Sequence, residues 1–137
     1  MQGMSYANNQ YRIGRITEGL LLDIAETVDI VEPIAKFSDK LKGKEGVGQI
    51  FNTGLEDWSP SRSDGLKYDL IWIQWCLGHL TDAQLVVFLA KCGEGLKAGG
   101  WIVVKENLST AAEDVFDDVD SSVTRYVFGT EAWAEHF

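Results

Sequence analysis

Between residues 68 and 105 the chain switches its hydrophobic period twice, and this constrains the fold more than any other feature. Residues 68–75 (Tyr-Asp-Leu-Ile-Trp-Ile-Gln-Trp) are nearly continuously apolar, the pattern of a strand covered on both faces. Thr81 and Gln84 then form a capping box, the signature of a helix start. Leu85, Phe88, Leu89, Cys92 and Leu96 follow as a stripe at helical spacing, so a helix is expected over 81–96. Ala98-Gly99-Gly100 reads as a turn and 101–105 (Trp-Ile-Val-Val-Lys) as another buried strand.

The upstream half repeats the alternation. Ile13, Ile16, Leu20 and Ile24 share one helical face, with Leu21 beside them. Residues 28–31 (Val-Asp-Ile-Val) form a β-branched run that reads as a strand. Pro33 suits the first position of a helix carrying Ile34, Phe37 and Leu41, which Gly43 ends. A further strand is expected over 48–53, and a turn-rich connector over 59–65. Strands alternating with helices predict an α/β fold with a mainly parallel sheet. Residues 1–11 show no period and read as an irregular leader. Beyond Asn107 the chain is acidic and irregular, and 126–137 reads as a divergent, aromatic-rich tail.

At 137 residues the chain suffices for one small domain. Its 12 Lys+Arg against 21 Asp+Glu give a net charge of −9. That balance disfavours nucleic acid and anionic membranes as partners and favours a cationic substrate. Cys76 and Cys92 lie in apolar surroundings and read as buried, inert thiols. The residues near Met1 lack a signal-peptide core, and no apolar run reaches the ~20 residues of a membrane span. A soluble chain in a reducing compartment is expected, in the cytoplasm or also the nucleus.

In open parallel sheets, ligands bind beyond the carboxyl ends of the strands. Glu32, Leu55-Glu56, Gln74-Trp75 with Gly78-His79, and Glu106-Asn107 occupy those positions. Together they could form one rim, although any one of them could equally be a cap. Glu32 follows Gly14 by 18 positions (32 − 14), a spacing suited to an acid that accepts ribose hydroxyls. Asp117, Asp118 and Asp120 repel one another unless a cation joins them. They read either as a solvated loop or as a pocket for an amine or a Lys/Arg side chain. The run lacks the glycine and terminal glutamate of a calcium loop, and no metal site is expected.

Three segments carry a resemblance. Residues 68–82 (Tyr-Asp-Leu-Ile-Trp-Ile-Gln-Trp-Cys-Leu-Gly-His-Leu-Thr-Asp), 100–107 (Gly-Trp-Ile-Val-Val-Lys-Glu-Asn) and 117–125 (Asp-Asp-Val-Asp-Ser-Ser-Val-Thr-Arg) resemble the alpha-N-terminal protein methyltransferases. The likeness runs from about Ile13 to Arg125. It implies a Rossmann-like class I methyltransferase fold and S-adenosylmethionine (AdoMet) as cofactor. It also implies methylation of the free α-amine of proteins beginning Xaa-Pro-Lys or Xaa-Pro-Arg. By the same resemblance Gly14, Arg15, Glu32, Leu55, Glu56 and Gln74 would contact the cofactor. Trp75, Asn107, Asp117 and Ser122 would bind the substrate. His79 and Asp120 would handle the amine proton as the catalytic pair.

Residues 2–10 contain no Asp-x-Gly-x-Gly loop, so the first sheet strand is expected to be missing. The tail after Arg125 does not resemble the family's final strand pair. The expected organisation is a leader (1–11), a partial methyltransferase domain (12–125) and a divergent tail (126–137). An internal fragment or truncated product, monomeric, with weak or absent AdoMet binding is the resulting expectation. The alternative is a non-catalytic acidic-groove module that binds basic N-terminal peptides. A nicotinamide-dependent dehydrogenase would fit only the fold and Glu32.

Overall fold

A computed structural model describes residues 2–7, 15–60, 65 and 67–126. The strands are β1 (Gln2–Ala7), β2 (Thr27–Val31), β3 (Val47–Phe51), β4 (Tyr68–Gln74) and β5 (Leu96–Lys105). They form one parallel sheet in the order β3-β2-β1-β4-β5. A small antiparallel hairpin, β6 (Val115–Asp117) and β7 (Ser122–Thr124), follows. The parallel α/β expectation holds.

The expectation of a missing first strand does not hold: residues 2–7 of the expected irregular leader form it, while residues 1 and 8–11 lie outside the described residues. β1 lies at the centre, with Gln2 opposite Thr27 and Gly3 opposite Leu70. The physical reason is backbone pairing. β2 and β4 each present a row of N–H and C=O groups to the gap, and a strand between them satisfies both rows. That demand does not depend on an alternating side-chain pattern, and 2–7 has none. Gly3 is also held close: a Cβ there would stand 3.2 Å from the Ala25 Cβ.

Side-chain alternation along the strands divides the core into two layers. Val31, Ile71 and Ile73 face α3 (Asp82–Gly95) and join Leu85, Phe88, Leu89 and Cys92. Val28, Ile30, Leu70 and Trp72 face the other way, toward Leu21, Phe37 and Leu41. Leu21 belongs to a π-helical turn, Thr17–Leu21, that continues as α1 (Leu22–Ile24). The wider π turn rotates the apolar face away from 3.6 periodicity. Leu21 is therefore fully buried, while Ile24, expected on the core face, is exposed. Phe37 and Leu41 lie on α2 (Ala35–Ser38) and the 3₁₀ turn Asp39–Leu41.

The capping box of α3 is present: Gln84 N donates to Thr81 Oγ1 at 3.3 Å and Thr81 N to Gln84 Oε1 at 2.9 Å. β5 is an edge strand rather than the buried strand expected, and Trp101 is 72% exposed. The turn at 98–100 survives inside it as a bulge. Tyr68 pairs with Leu96, but Leu70 already pairs with Trp101. Both thiols are buried, and burial pushes that of Cys92 up to about 12. No helix among the described residues is long and apolar enough to cross a membrane.

Candidate active site

Because all five strands run in one direction, their carboxyl ends share one edge of the sheet. β2 delivers Glu32 there, 1% exposed. Its Oε1 accepts from Ile34 N at 2.8 Å, whereas its buried Oε2 has no partner among the described residues. Burial raises the carboxyl above the ordinary glutamate value, and the Ile34 N–H partly offsets this. Asn52, after β3, donates to Glu32 O at 2.9 Å and to Ser38 Oγ at 3.0 Å, tying β3 to the turn that follows β2.

β4 ends in Gln74, 1% exposed, whose Oε1 accepts from Trp72 Nε1 at 3.1 Å. The next residue, Trp75, takes φ 54°, the left-handed region. For a bulky residue this costs roughly 1–3 kcal/mol and persists only where surroundings enforce it. Trp75 N donates to Lys105 O at 3.0 Å, and the Lys105 Nζ lies 5.4 Å from the Trp75 ring centroid. Glu106 Oε1 accepts from Cys76 N at 2.7 Å and from Leu77 N at 3.0 Å. Leu77 opens the 3₁₀ turn Leu77–His79, which presents His79 to solvent. Burial raises the Glu106 carboxyl, partly offset by the Leu77 and Cys76 N–H groups and by His79 and Arg125.

The β6–β7 hairpin docks on that 3₁₀ turn. Arg125, 7% exposed, fastens it: Nη1 donates to Leu77 O at 3.1 Å and Nη2 to Leu80 O at 2.6 Å. Its Nε and Nη2 also donate to Asp82 Oδ1 at 3.1 and 2.9 Å. Gly78 makes the approach possible, since a Cβ there would lie 2.9 Å from Val123 O. The docking brings Asp120 into the field of His79. The Ser122 side chain, more than any other cause, holds the Asp120 carboxyl below the usual aspartate range. The Ser122 backbone and His79 add to this.

Glu32, Gln74, Trp75, His79, Asp120 and Ser122 thus lie on the strand ends or on segments packed against them. Asn107 is exposed just beyond Glu106, and Asp117 is exposed at the end of β6, its Oδ1 accepting from Val119 N at 2.8 Å. Leu55 is 2% exposed and packs in the α3-side core, so only its backbone remains for a ligand. Glu56 edges a hollow of about 230 Å³ with Ala83, Gln84, Val87, Phe88 and Lys91. Arg15 is exposed at the start of the first helical segment, and Gly14 lies outside the described residues. The sequence placed Glu106 on the rim without a specific partner and gave Arg125 no role, although both stand inside the motifs that carry the resemblance.

Comparison with known proteins agrees with this architecture. The family model described as AdoMet dependent proline di-methyltransferase matches residues 5–130. The chain is 47% identical over 115 residues to alpha N-terminal protein methyltransferase 1 of Schizosaccharomyces pombe, covering 82% of this chain and 51% of that protein. It is 50% identical over 119 residues to N-terminal Xaa-Pro-Lys N-methyltransferase 1 of Danio rerio, with the same coverage, 82% and 51%. A solved SAM-dependent methyltransferase from Leishmania major superposes with a TM-score of 0.81 at 31% identity, covering 98% of this chain and 53% of that one. The chain therefore spans about half the length of the curated relatives it matches. With a family match that begins inside β1 and ends just past Arg125, the chain belongs to the AdoMet-dependent proline di-methyltransferase family.

Proposed function

We propose that this chain is the catalytic part of an AdoMet-dependent methyltransferase acting on the α-amine of proteins that begin Xaa-Pro-Lys or Xaa-Pro-Arg. The observation that supports the reading is the docking of the hairpin whose turn carries Asp120 on the 3₁₀ turn that carries His79. The names of the relatives, N-terminal Xaa-Pro-Lys N-methyltransferase among them, support the substrate class.

The residues present fit AdoMet. Glu32 Oε2 is a buried acceptor with no partner among the described residues, suited to a ribose hydroxyl. Arg15 would meet the carboxylate of the methionine moiety, Gln74 would border that moiety, and Glu56 would lie toward adenine. AdoMet, when bound, supplies an electrophilic sulfonium methyl. An α-amino group with a pKa near ~8 is largely protonated at neutral pH, and only its free form is a nucleophile. Asp120 or His79 would accept that proton and orient the nitrogen. Trp75 would pack on the substrate proline, and Asn107 would hold the first residue. Asp117 and Ser122 would receive the third-position cation, with the −9 net charge favouring its approach.

The test is incubation of the chain with a Ser-Pro-Lys peptide and methyl-labelled AdoMet. Label on the peptide amine is expected, and D120N should lower turnover far more than AdoMet affinity. Failure to bind either ligand would refute the reading. Peptide binding without labelling would favour a non-catalytic peptide-binding module. The absence of Asp-x-Gly-x-Gly from residues 2–14 is the observation on that side.

A further inference from the structure

Three consecutive amides at the end of β4 are all held from the end of β5. Trp75 N donates to the Lys105 carbonyl at 3.0 Å. Cys76 N and Leu77 N both donate to a single oxygen, Glu106 Oε1, at 2.7 and 3.0 Å. One carboxylate oxygen on both fixes the direction of the chain between them, because two donors converging on one point leave the peptide plane little freedom. Upstream of this grip lies Trp75, a bulky residue at φ 54° that would relax to an ordinary conformation if released. Downstream lies the 3₁₀ turn that carries His79.

We infer that Glu106 is the positioning residue of the substrate side. By accepting from the Cys76 and Leu77 N–H groups it keeps the left-handed turn at Trp75, and so sets the direction of the indole and the place of His79. The side chain reaches from a different strand, and Asn107, the amide assigned to the first substrate residue, follows it directly. The end of β5 therefore sets the aromatic and the amide of the proposed peptide site in one frame.

The structural half of this inference stands without any activity. Its consequence for peptide binding rests on the function proposed above. The experiment compares the ¹⁵N-labelled full chain with E106A and E106Q. Amide hydrogen exchange at Cys76 and Leu77 reads the grip directly. Titration calorimetry with a Ser-Pro-Lys peptide, and separately with AdoMet, reads its consequence. In E106A, exchange at both amides should quicken by roughly 10- to 100-fold, as expected for losing hydrogen bonds to a charged acceptor. Peptide affinity should fall about tenfold or more while AdoMet affinity changes little. E106Q retains a side-chain carbonyl oxygen at the same reach and should restore both readouts to near parental values.

Unchanged exchange in E106A would overturn the inference, as would E106Q losing as much protection as E106A. Should E106A not fold, E106Q decides alone: parental protection at Cys76 and Leu77 supports the grip, and faster exchange refutes it. If the parent chain binds no peptide, the proposed function fails, and the exchange data still decide the role of Glu106.

Discussion

The same substitution, glycine to alanine, should act with opposite signs at two positions 15 residues apart (93 − 78), and the pair tests how the hairpin is held. At Gly78 an added Cβ would meet Val123 O at 2.9 Å, Ser122 Cβ at 3.4 Å and Val123 N at 3.5 Å. Ordinary contact begins near 3.4 Å, so the first is too close by about 0.5 Å (3.4 − 2.9). Two of the three neighbours are backbone, which no rotamer change can move aside. The hairpin must retreat, or the 3₁₀ turn must shift, and overpacking of this kind costs roughly 1–3 kcal/mol. For a domain of this size that lowers Tm by about 3–5 °C per kcal/mol. Gly93 sits within α3, and a Cβ there meets nothing within 4 Å. G93A should therefore stabilise by about 1 kcal/mol through helix propensity alone. Urea unfolding of both variants beside the parent gives the two shifts. G78A should also weaken Ser-Pro-Lys peptide binding, because the retreat carries the Asp120 turn away from the 3₁₀ turn that holds His79, whereas G93A should not. Shifts of one sign in both variants, or a G78A chain as stable as the parent with full peptide affinity, would refute the close docking of β7 on Gly78.

Glu32 is raised by burial, so the stability it contributes is fully present below the ordinary glutamate value of 4.5 and is lost as pH rises through its higher folded value. E32Q should flatten the fall in urea midpoint between that value and neutrality and should weaken AdoMet binding; a fall as steep as the parent's counts against the buried carboxylate. Asp120 is lowered chiefly by the Ser122 side chain, so its stabilising charge is present above the ordinary aspartate value of 3.8 and is lost as pH falls through its depressed value. S122A should move the Asp120 carboxyl titration, followed by NMR, upward toward 3.8, and no movement would remove Ser122 as the cause. Phe88 is 1% exposed and packs with its ring 6.3 Å from that of Trp58. F88A should destabilise by about 3–5 kcal/mol in urea unfolding, and a loss below 1 kcal/mol would show that the α3-side core repacks around the gap.

Much of the sheet was legible because its strands carry their own hydrophobic signal. Residues 28–31 and 68–75 are apolar enough to be strands wherever they sit, and Thr81 with Gln84 announces α3 through side chains that bond only their own helix end. β1 was not legible, because what makes it a strand is two neighbouring rows of backbone groups contributed by distant segments. The π turn escaped for a related reason. A one-residue widening leaves no mark in composition, yet it moves Ile24 outward and seats Leu21 inside. The hairpin was hidden by its charge. Val115–Asp117 and Ser122–Thr124 have little to bury, and they fold where they do because Arg125 anchors them to carbonyls after β4. At the site, motif residues could be named from sequence, but Glu106 and Arg125 show their work only as contacts between segments far apart in the chain.

The central position of β1 has a kinetic consequence. Gln2 pairs with Thr27, 25 positions away (27 − 2), and Gly3 with Leu70, 67 positions away (70 − 3). Contacts of such separation close slowly. During translation β1 emerges before either flank exists, and one of its sides stays open until the β4 residues leave the ribosome. Refolding from denaturant should accordingly show β1 gaining amide protection late, after the hydrogen-bonded ladder joining β2 and β3 has formed.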